Sequence, residues 1–229
     1  MMIYTGMAAG KDMNLIMERG MGIIISSSCN FEPRRSYSGV PCALDNGAFQ
    51  CWRRGFPFQS DVFRRTVAKA YEVGLTLDFL VCPDIVGGGI DSLEFSMSWA
   101  TGELRTAHKM ALAVQDGMTV RDINSYHAKH FSHLFIGGTP SWKWANAADW
   151  VEHAHMLGLK AHIGQVGTLP RLRAARDMGA DSVDSTSFVR NKSWHIIDEF
   201  HGGCQSEMFP FAPPDEYERK NTNQGVENG

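Results

Sequence analysis

A (β/α)8 barrel, the TIM-barrel fold in a compact form, is what this 229-residue sequence predicts. Three observations carry that expectation. Eight short runs rich in aliphatic and β-branched residues alternate with stretches of helical spacing. The runs end in Asp, Gln or Gly, residue types suited to the functional C-terminal rim of a barrel. The length suits one domain with a full core, at the short end for this fold, so the loops must be tight. A doubly wound open sheet is the alternative arrangement of the same elements.

The expected strands are Met2–Thr5, Gly22–Ser26, Cys42–Leu44, Leu77–Cys82, Ala111–Gln115, Leu134–Ile136, Lys160–Ile163 and Ser182–Asp184. Between them, Val62–Tyr71 places Val62, Val67 and Ala70 near one helical face. Leu93–Met110 and Trp142–Leu157 are longer helical stretches rich in Ala, Met and Trp. Leu169–Met178 opens with Pro170, at home in a first helical turn, and stops at Gly179, a good C-cap. Residues 1–209 form the barrel domain; residues 210–229 are polar, rich in Pro, Asn and Glu, and are expected to be a flexible tail. No internal repeat is evident.

Hydrophobic residues make up 43% and charged residues 21%, which excludes a disordered or collagen-like body. No apolar run approaches the roughly 20 residues of a membrane span. The N-terminal stretch has no basic start followed by a long apolar run, so no secretory signal is expected. Five cysteines, an odd number without CxxC spacing, argue against a disulfide framework or a thiolate zinc site and for reduced thiols in a cytoplasm. The net charge of −3 comes from the tail, where five acids in 207–229 face Arg219 and Lys220. Residues 34–65 carry six arginines in three pairs against Asp45 and Asp61, either a phosphate-binding face or a solvated surface.

The rim residues suggest chemistry. The third strand runs into Asp45-Asn46-Gly47-Ala48-Phe49-Gln50, the fourth into Cys82-Pro83-Asp84, and the fifth into Gln115-Asp116-Gly117. The last three end at Gly137-Gly138-Thr139, Gly164-Gln165-Val166-Gly167 and Asp184-Ser185-Thr186. Single aspartates here can cap the following helices. Several converging on one apolar mouth suit a cationic or sugar-like transition state, with one carboxylate as nucleophile and another as acid or base. Gly137 and Gly138 let a ligand approach the backbone or form a phosphate cradle.

In their order along the chain these segments resemble the tRNA-guanine transglycosylase superfamily. Asp45-Asn46-Gly47-Ala48-Phe49-Gln50 is similar to that family's Asp-Ser-Gly-Gly-(Phe/Tyr)-Gln, and Val114-Gln115-Asp116-Gly117 to its Val-Gln-Gly. Ile136-Gly137-Gly138 matches its Gly-rich segment, and Gly179-Ala180-Asp181-Ser182-Val183-Asp184-Ser185-Thr186 its nucleophile segment. Ser96–Ala100 looks like a family helix, and the match runs from about residue 42 to 190. The family's Thr-Arg after the nucleophile becomes Phe188-Val189-Arg190, and with only Cys204 beyond position 82 the tRNA enzymes' zinc-binding subdomain is absent. A short zinc-free chain is most like the phage-type DNA 7-deazaguanine transglycosylases, the DpdA family.

The resemblance implies exchange of guanine in DNA for a 7-deazaguanine, such as 7-cyano-7-deazaguanine. Asp184 would be the nucleophile at C1′ and Asp45 the general acid/base. No metal and no cofactor are implied. Asp84, Gln115, Gly137 and Gly138 would bind the base by hydrogen bonds. Phe49 would stack on it, unless it is plain core, and Ile163 would cover its other face. The guanine must be flipped out or single-stranded. Arg34, Arg35, Arg53, Arg54 and Arg190 are the phosphate candidates. A homodimer and a cytoplasmic setting, the host's if phage-encoded, fit the family. The alternatives are a transglycosylase acting on tRNA, a phosphate-binding barrel isomerase or lyase, and a catalytically silent nucleic-acid-binding barrel. The isomerase or lyase requires a strand-end Lys or a His pair, and the sequence places neither at the rim.

Other motifs point to structure. His127, His130 and His133 are expected to straddle a helix end, a loop and a strand start without converging on a metal. His153 and His155 fall on different helix faces. Trp142, Trp144 and Trp150 are expected to pack the outer shell. Gly87-Gly88-Gly89 is expected to be a flexible loop that closes over the base.

Overall fold

The structure, a computed structural model, describes residues 1–27, 33–107 and 109–208; the polar tail 210–229 lies outside them. Eight parallel strands close into one barrel in sequence order: β1 (Met2–Gly6), β2 (Gly22–Ser26), β3 (Cys42–Asp45), β4 (Leu77–Val81), β5 (Met110–Val114), β6 (His133–Ile136), β7 (Lys160–Ile163) and β8 (Ser182–Asp184). β1 pairs with β8, setting Tyr4 beside Asp184 and closing the ring. The predicted barrel is correct, and the open sheet is excluded.

Period-2 alternation sorts the strand residues into two cores. Ile3, Ile23, Leu44, Leu112, Ile136 and Val183 point outward, into one cluster with the helices. Tyr4, Ile24, Ala43, Phe79, Val81, Ala111 and Ala113 point inward and form a second cluster. The inner barrel also holds His162, stacked on Phe135, and His133, tilted against Phe79, with centroids 4.7 Å apart in both pairs. Gly22 makes room for this interior: a Cβ there would stand 2.5 Å from the Tyr4 ring.

The outer layer comprises α1 (Lys11–Glu18), α2 (Ala48–Arg53), α3 (Ser60–Glu72), α4 (Ile90–Thr101), α5 (Ser125–Ala128), α6 (Pro140–Met156), α7 (Leu169–Asp177), α8 (Ser187–Arg190) and α9 (Trp194–Met208). In α6, Thr139 caps the N-terminus by accepting from the Trp142 N–H, with Pro140 at the first position. α7 ends two residues before Gly179, which takes the left-handed φ of +85° expected of a C-terminal glycine. The helix expected over Leu93–Met110 is shorter. It stops at Gly102, where a Cβ would meet the Ser98 carbonyl at 2.7 Å, and Met110 already belongs to β5.

Trp150 is buried in the outer layer beside Trp142, and the Arg171 guanidinium lies 5.5 Å from the Trp144 ring centre, as outer-shell packing requires. His127 sits on α5 and His133 inside the barrel, so these histidines diverge. Among the described residues no group of three or more His, Cys, Asp or Glu could hold a metal ion. Cys42, Cys51 and Cys82 are buried free thiols. No described helix is long and apolar enough to cross a membrane.

Candidate active site

A cavity of about 450 Å³ opens at the C-terminal mouth of the barrel. Six predicted residues line it: Asp45, Phe49, Asp84, Gln115, Gly137 and Gly138. Ala113, Val81 and Phe135 bring the inner barrel up to it, and Trp52, Thr139, Lys143, Gly164 and Gln165 complete its wall.

Asp45 ends β3, where the chain turns through Gly47 (φ +80°) into α2. Burial pushes its carboxyl up to about 7. Hydrogen bonds from Ser26 and the Gly47 N–H oppose that shift, and the charges of Asp184 and Asp84 add to it. Asp84 is raised by burial to about 6, against hydrogen bonds from Asn46 (2.8 Å) and Gln115 (3.2 Å). Two carboxyls that change protonation near neutrality in one cavity suit proton transfer at working pH.

Asp184 ends β8 and is buried beside the lining residues Gly164 and Gln165. Its Oδ1 accepts from His162 Nε2 (3.0 Å) and from the Gln165 backbone N–H (3.3 Å). The carboxylate partner calls for the Nε2–H tautomer, with Nδ1 accepting from the Ser182 hydroxyl at 2.8 Å. Gln165 holds a left-handed backbone, φ +61°, uncommon for a residue with a side chain. Gly164 is required here: a Cβ would meet the Phe135 ring at 2.9 Å and Asp184 Oδ1 at 3.4 Å.

Three expected contacts are overturned. The Gln115 side chain is not free for a base. Its Nε2 reaches Ile85 O and Ser92 Oγ, both at 2.8 Å, as well as Asp84, and its Oε1 accepts from Gly87 N–H at 2.7 Å. The Gly137 N–H is spent on the Val114 carbonyl at 2.9 Å, continuing the sheet ladder. Ile163 faces outward into the helix-side core, because alternation along β7 turns His162, not Ile163, inward. The Gln115 bonds also hold the 85–89 loop that the glycines suggested would be free. Gly88 N–H donates to Ile85 O (2.8 Å), and Ile85 N–H to Ser92 Oγ (3.0 Å). Asp116 holds the Gly138–Thr139 turn by accepting from the Thr139 N–H and hydroxyl, both at 2.7 Å.

At the rim, Phe49 is half-buried and stacks on Trp52, with centroids 5.8 Å apart and planes 25° apart. Trp52 is 57% exposed, as is Phe56. Arg34, Arg53, Arg54 and Arg190 are exposed, and none of the four forms an ion pair with a described residue. The Arg35 side chain lies outside the described residues.

Sequence reasoning missed Trp52, Lys143 and His162. Trp52 is three residues after Phe49, spacing that places both on one helix face. Lys143 stands near the start of α6, close to the positive end of the helix dipole, yet it is 3% exposed. Its amine donates to the Gly164 carbonyl at 2.5 Å. Burial lowers it to about 8, opposed by the charges of Asp184 and Asp116. A lysine at the unfavoured end of a predicted helix is the signal in the sequence that could have marked it.

No family model and no curated protein sequence matches the chain.

Proposed function

We propose that the protein is a base-exchange glycosyltransferase that removes guanine from DNA and inserts a 7-deazaguanine through a covalent Asp184 intermediate. One observation carries the reading. Asp184, aimed by two N–H donors, shares a barrel mouth with Asp45, a carboxyl raised to about 7.

An oxygen of Asp184 forms a bond to C1′ as the C1′–N9 bond breaks, and Asp45 gives its proton to the departing base. The 7-deazaguanine then enters and Asp45 takes its ring N–H proton. The new C1′–N bond forms and Asp184 is released. Two inversions retain configuration. His162 is a positioning residue that holds the Asp184 carboxylate. Asp84, ionised, accepts from the base N1–H and 2-amino group. The Phe49–Trp52 pair beside the unpaired Arg53 and Arg54 supports a single-stranded or flipped-out polynucleotide, which combines stacking with phosphate contacts.

The test is transfer of a labelled 7-deazaguanine into duplex DNA, single-stranded DNA and tRNA, with Asp184→Ala as control. Incorporation into DNA that the variant abolishes is expected. Incorporation into tRNA alone would move the activity to the other polymer.

Lys143 favours a second reading, the barrel lyase or isomerase, because a buried amine lowered to about 8 suits Schiff-base chemistry. Borohydride trapping of small carbonyl compounds on Lys143, with no oligonucleotide adduct on Asp184, would select it.

A further inference from the structure

Three buried polar side chains line the cavity: Asn46, Gln115 and Lys143. A side-chain amide carries two hydrogens. Asn46 directs its Nδ2 to the Cys82 carbonyl (2.7 Å) and to Asp84 (2.8 Å). Gln115 has three acceptors within reach of its Nε2 and none to spare for a ligand. The Gly137 N–H is equally committed. The Lys143 ammonium carries three hydrogens and bonds one protein acceptor, the Gly164 carbonyl. Among the described lining residues it is the buried side-chain donor with hydrogens left over. It is also their one cation, and the charges of Asp184 and Asp116 act on it.

We infer that Lys143 recognises the carbonyl oxygen of the bound base, the 6-oxo group of guanine and of the incoming 7-deazaguanine, and stabilises the charge that gathers there as the base departs. The inference rests on the base-exchange reading. When the C1′–N9 bond breaks, its electron pair stays with the base and spreads through the ring onto O6. A charge-assisted N–H···O bond strengthens as that charge grows, so Lys143 holds the departing base more tightly than the intact nucleotide. No proton leaves Lys143; the base receives its proton from Asp45. Asp184 and Asp116 hold the amine protonated at neutral pH despite its burial. The position breaks two local rules, a cation near a helix N-terminus and a charge out of water, and a ligand-facing role accounts for both.

The experiment compares wild type and Lys143→Met on two oligonucleotides that carry guanine or 6-thioguanine at the exchanged position. Sulfur keeps the N1–H and the 2-amino group and weakens only the acceptor. Wild type is expected to exchange guanine faster, and Lys143→Met to lose about 10²–10³-fold on guanine, far less on 6-thioguanine, so that the preference collapses. Equal losses on both bases would mean that Lys143 acts through Asp184 or the fold, and would overturn the inference, as would no loss on either. Lys143→Gln, which keeps a donor without the charge, replaces the Met variant if that chain does not fold. A wild-type enzyme that exchanges neither base would sink the base-exchange reading itself, an outcome distinct from those in which wild type is active.

Discussion

The two sides of the barrel mouth are built on different plans. On the β3–β5 side, Asn46, Asp84, Gln115 and Ser92 bond one another and the 83–89 loop, leaving few free groups. On the β6–β8 side, Gln165 holds an unfavourable backbone, Lys143 is buried with donors to spare, and Asp184 hangs from a histidine inside the barrel. On the first side the amides are closed on one another and set shape, leaving Asp45 and Asp84 as its ligand-facing groups. The second breaks local rules and has unspent bonding capacity, the mark of a site that acts on a ligand.

The largest effect that separates the two sides is on turnover. Asp184→Ala is expected to reduce base exchange by at least about 10³-fold while the protein still folds, because it removes the nucleophile. Asp116→Ala, which frees the Thr139 turn and removes one of the two charges acting on Lys143, should keep far more activity than Asp184→Ala. If Asp184→Ala retains near wild-type exchange under single-turnover conditions, the division collapses.

The next effect is a pH dependence. The Asp45 carboxyl is raised by burial from its ordinary 3.8 to about 7. Its proton is therefore bound more tightly in the folded state than in the unfolded one. The stability this contributes is full below about pH 4 and is lost as the pH rises to about 7. Asp45→Asn is expected to match wild type near pH 4 and to exceed it at pH 8, by about 2–4 kcal/mol in denaturant unfolding, while losing exchange activity. Exchange by wild type needs Asp45 protonated and Asp84 ionised. Its rate should then rise through about pH 6 and fall above about 7. A flat profile from pH 5 to 8 would remove both carboxyls from the mechanism.

Two glutamines sharpen the comparison further. Gln115→Ala leaves the Gly87 N–H without its partner and takes one of two donors from the Ile85 carbonyl, and should cost about 1–3 kcal/mol. Gln165→Gly relaxes the left-handed backbone and should stabilise the fold by about 0.5–1 kcal/mol, keeping the N–H on Asp184. Opposite signs in thermal melts are expected; the same sign would erase the distinction between a closed side and a strained one.

How much of this was legible follows from what the signals measure. Short apolar runs set between helical stretches, with their polar ends, reported the barrel, because parallel strands buried on both faces read as continuous apolar runs. They also located Asp45, Asp84 and Asp184, since strand ends are fixed once the strands are. Hydrogen-bond partners were not legible. Gln115 and Gly137 stand where a base-binding motif would have them, yet their donors are taken by Ser92, Ile85 and Val114, residues that only the closed ring brings near. Ile163 was misread by one residue of register, enough to turn a side chain to the other face. His162 was hidden for the same reason, as a polar residue within a strand whose inward face shows only after closure. The helix α1 escaped because its eight residues are too short a window for a clear helical period. α1 buries Ile16 alone.

The smallest effects concern the arginines, where a similar contrast recurs at the surface. Arg64 is tied down: it reaches Glu103 and Asp61 at 2.7 and 2.8 Å and lies 5.1 Å from the centre of the Trp99 ring. Arg53 and Arg54 follow Trp52 at the cavity mouth with no ion-pair partner among the described residues. A paired guanidinium gives up its protein carboxylates to meet a phosphate, whereas an unpaired one exchanges only water and counterions. Arg53→Ala and Arg54→Ala should each weaken oligonucleotide binding and flatten the slope of log affinity against log salt by about 0.7 for a single strand. Arg64→Ala should leave the slope unchanged. Because the slope counts released ions, it separates phosphate contact from a general loss of folding, which alters the amount of active protein and not the slope. Equal slopes for all three variants and wild type would place the polymer elsewhere on the rim, with Arg34 and Arg190 the next to vary.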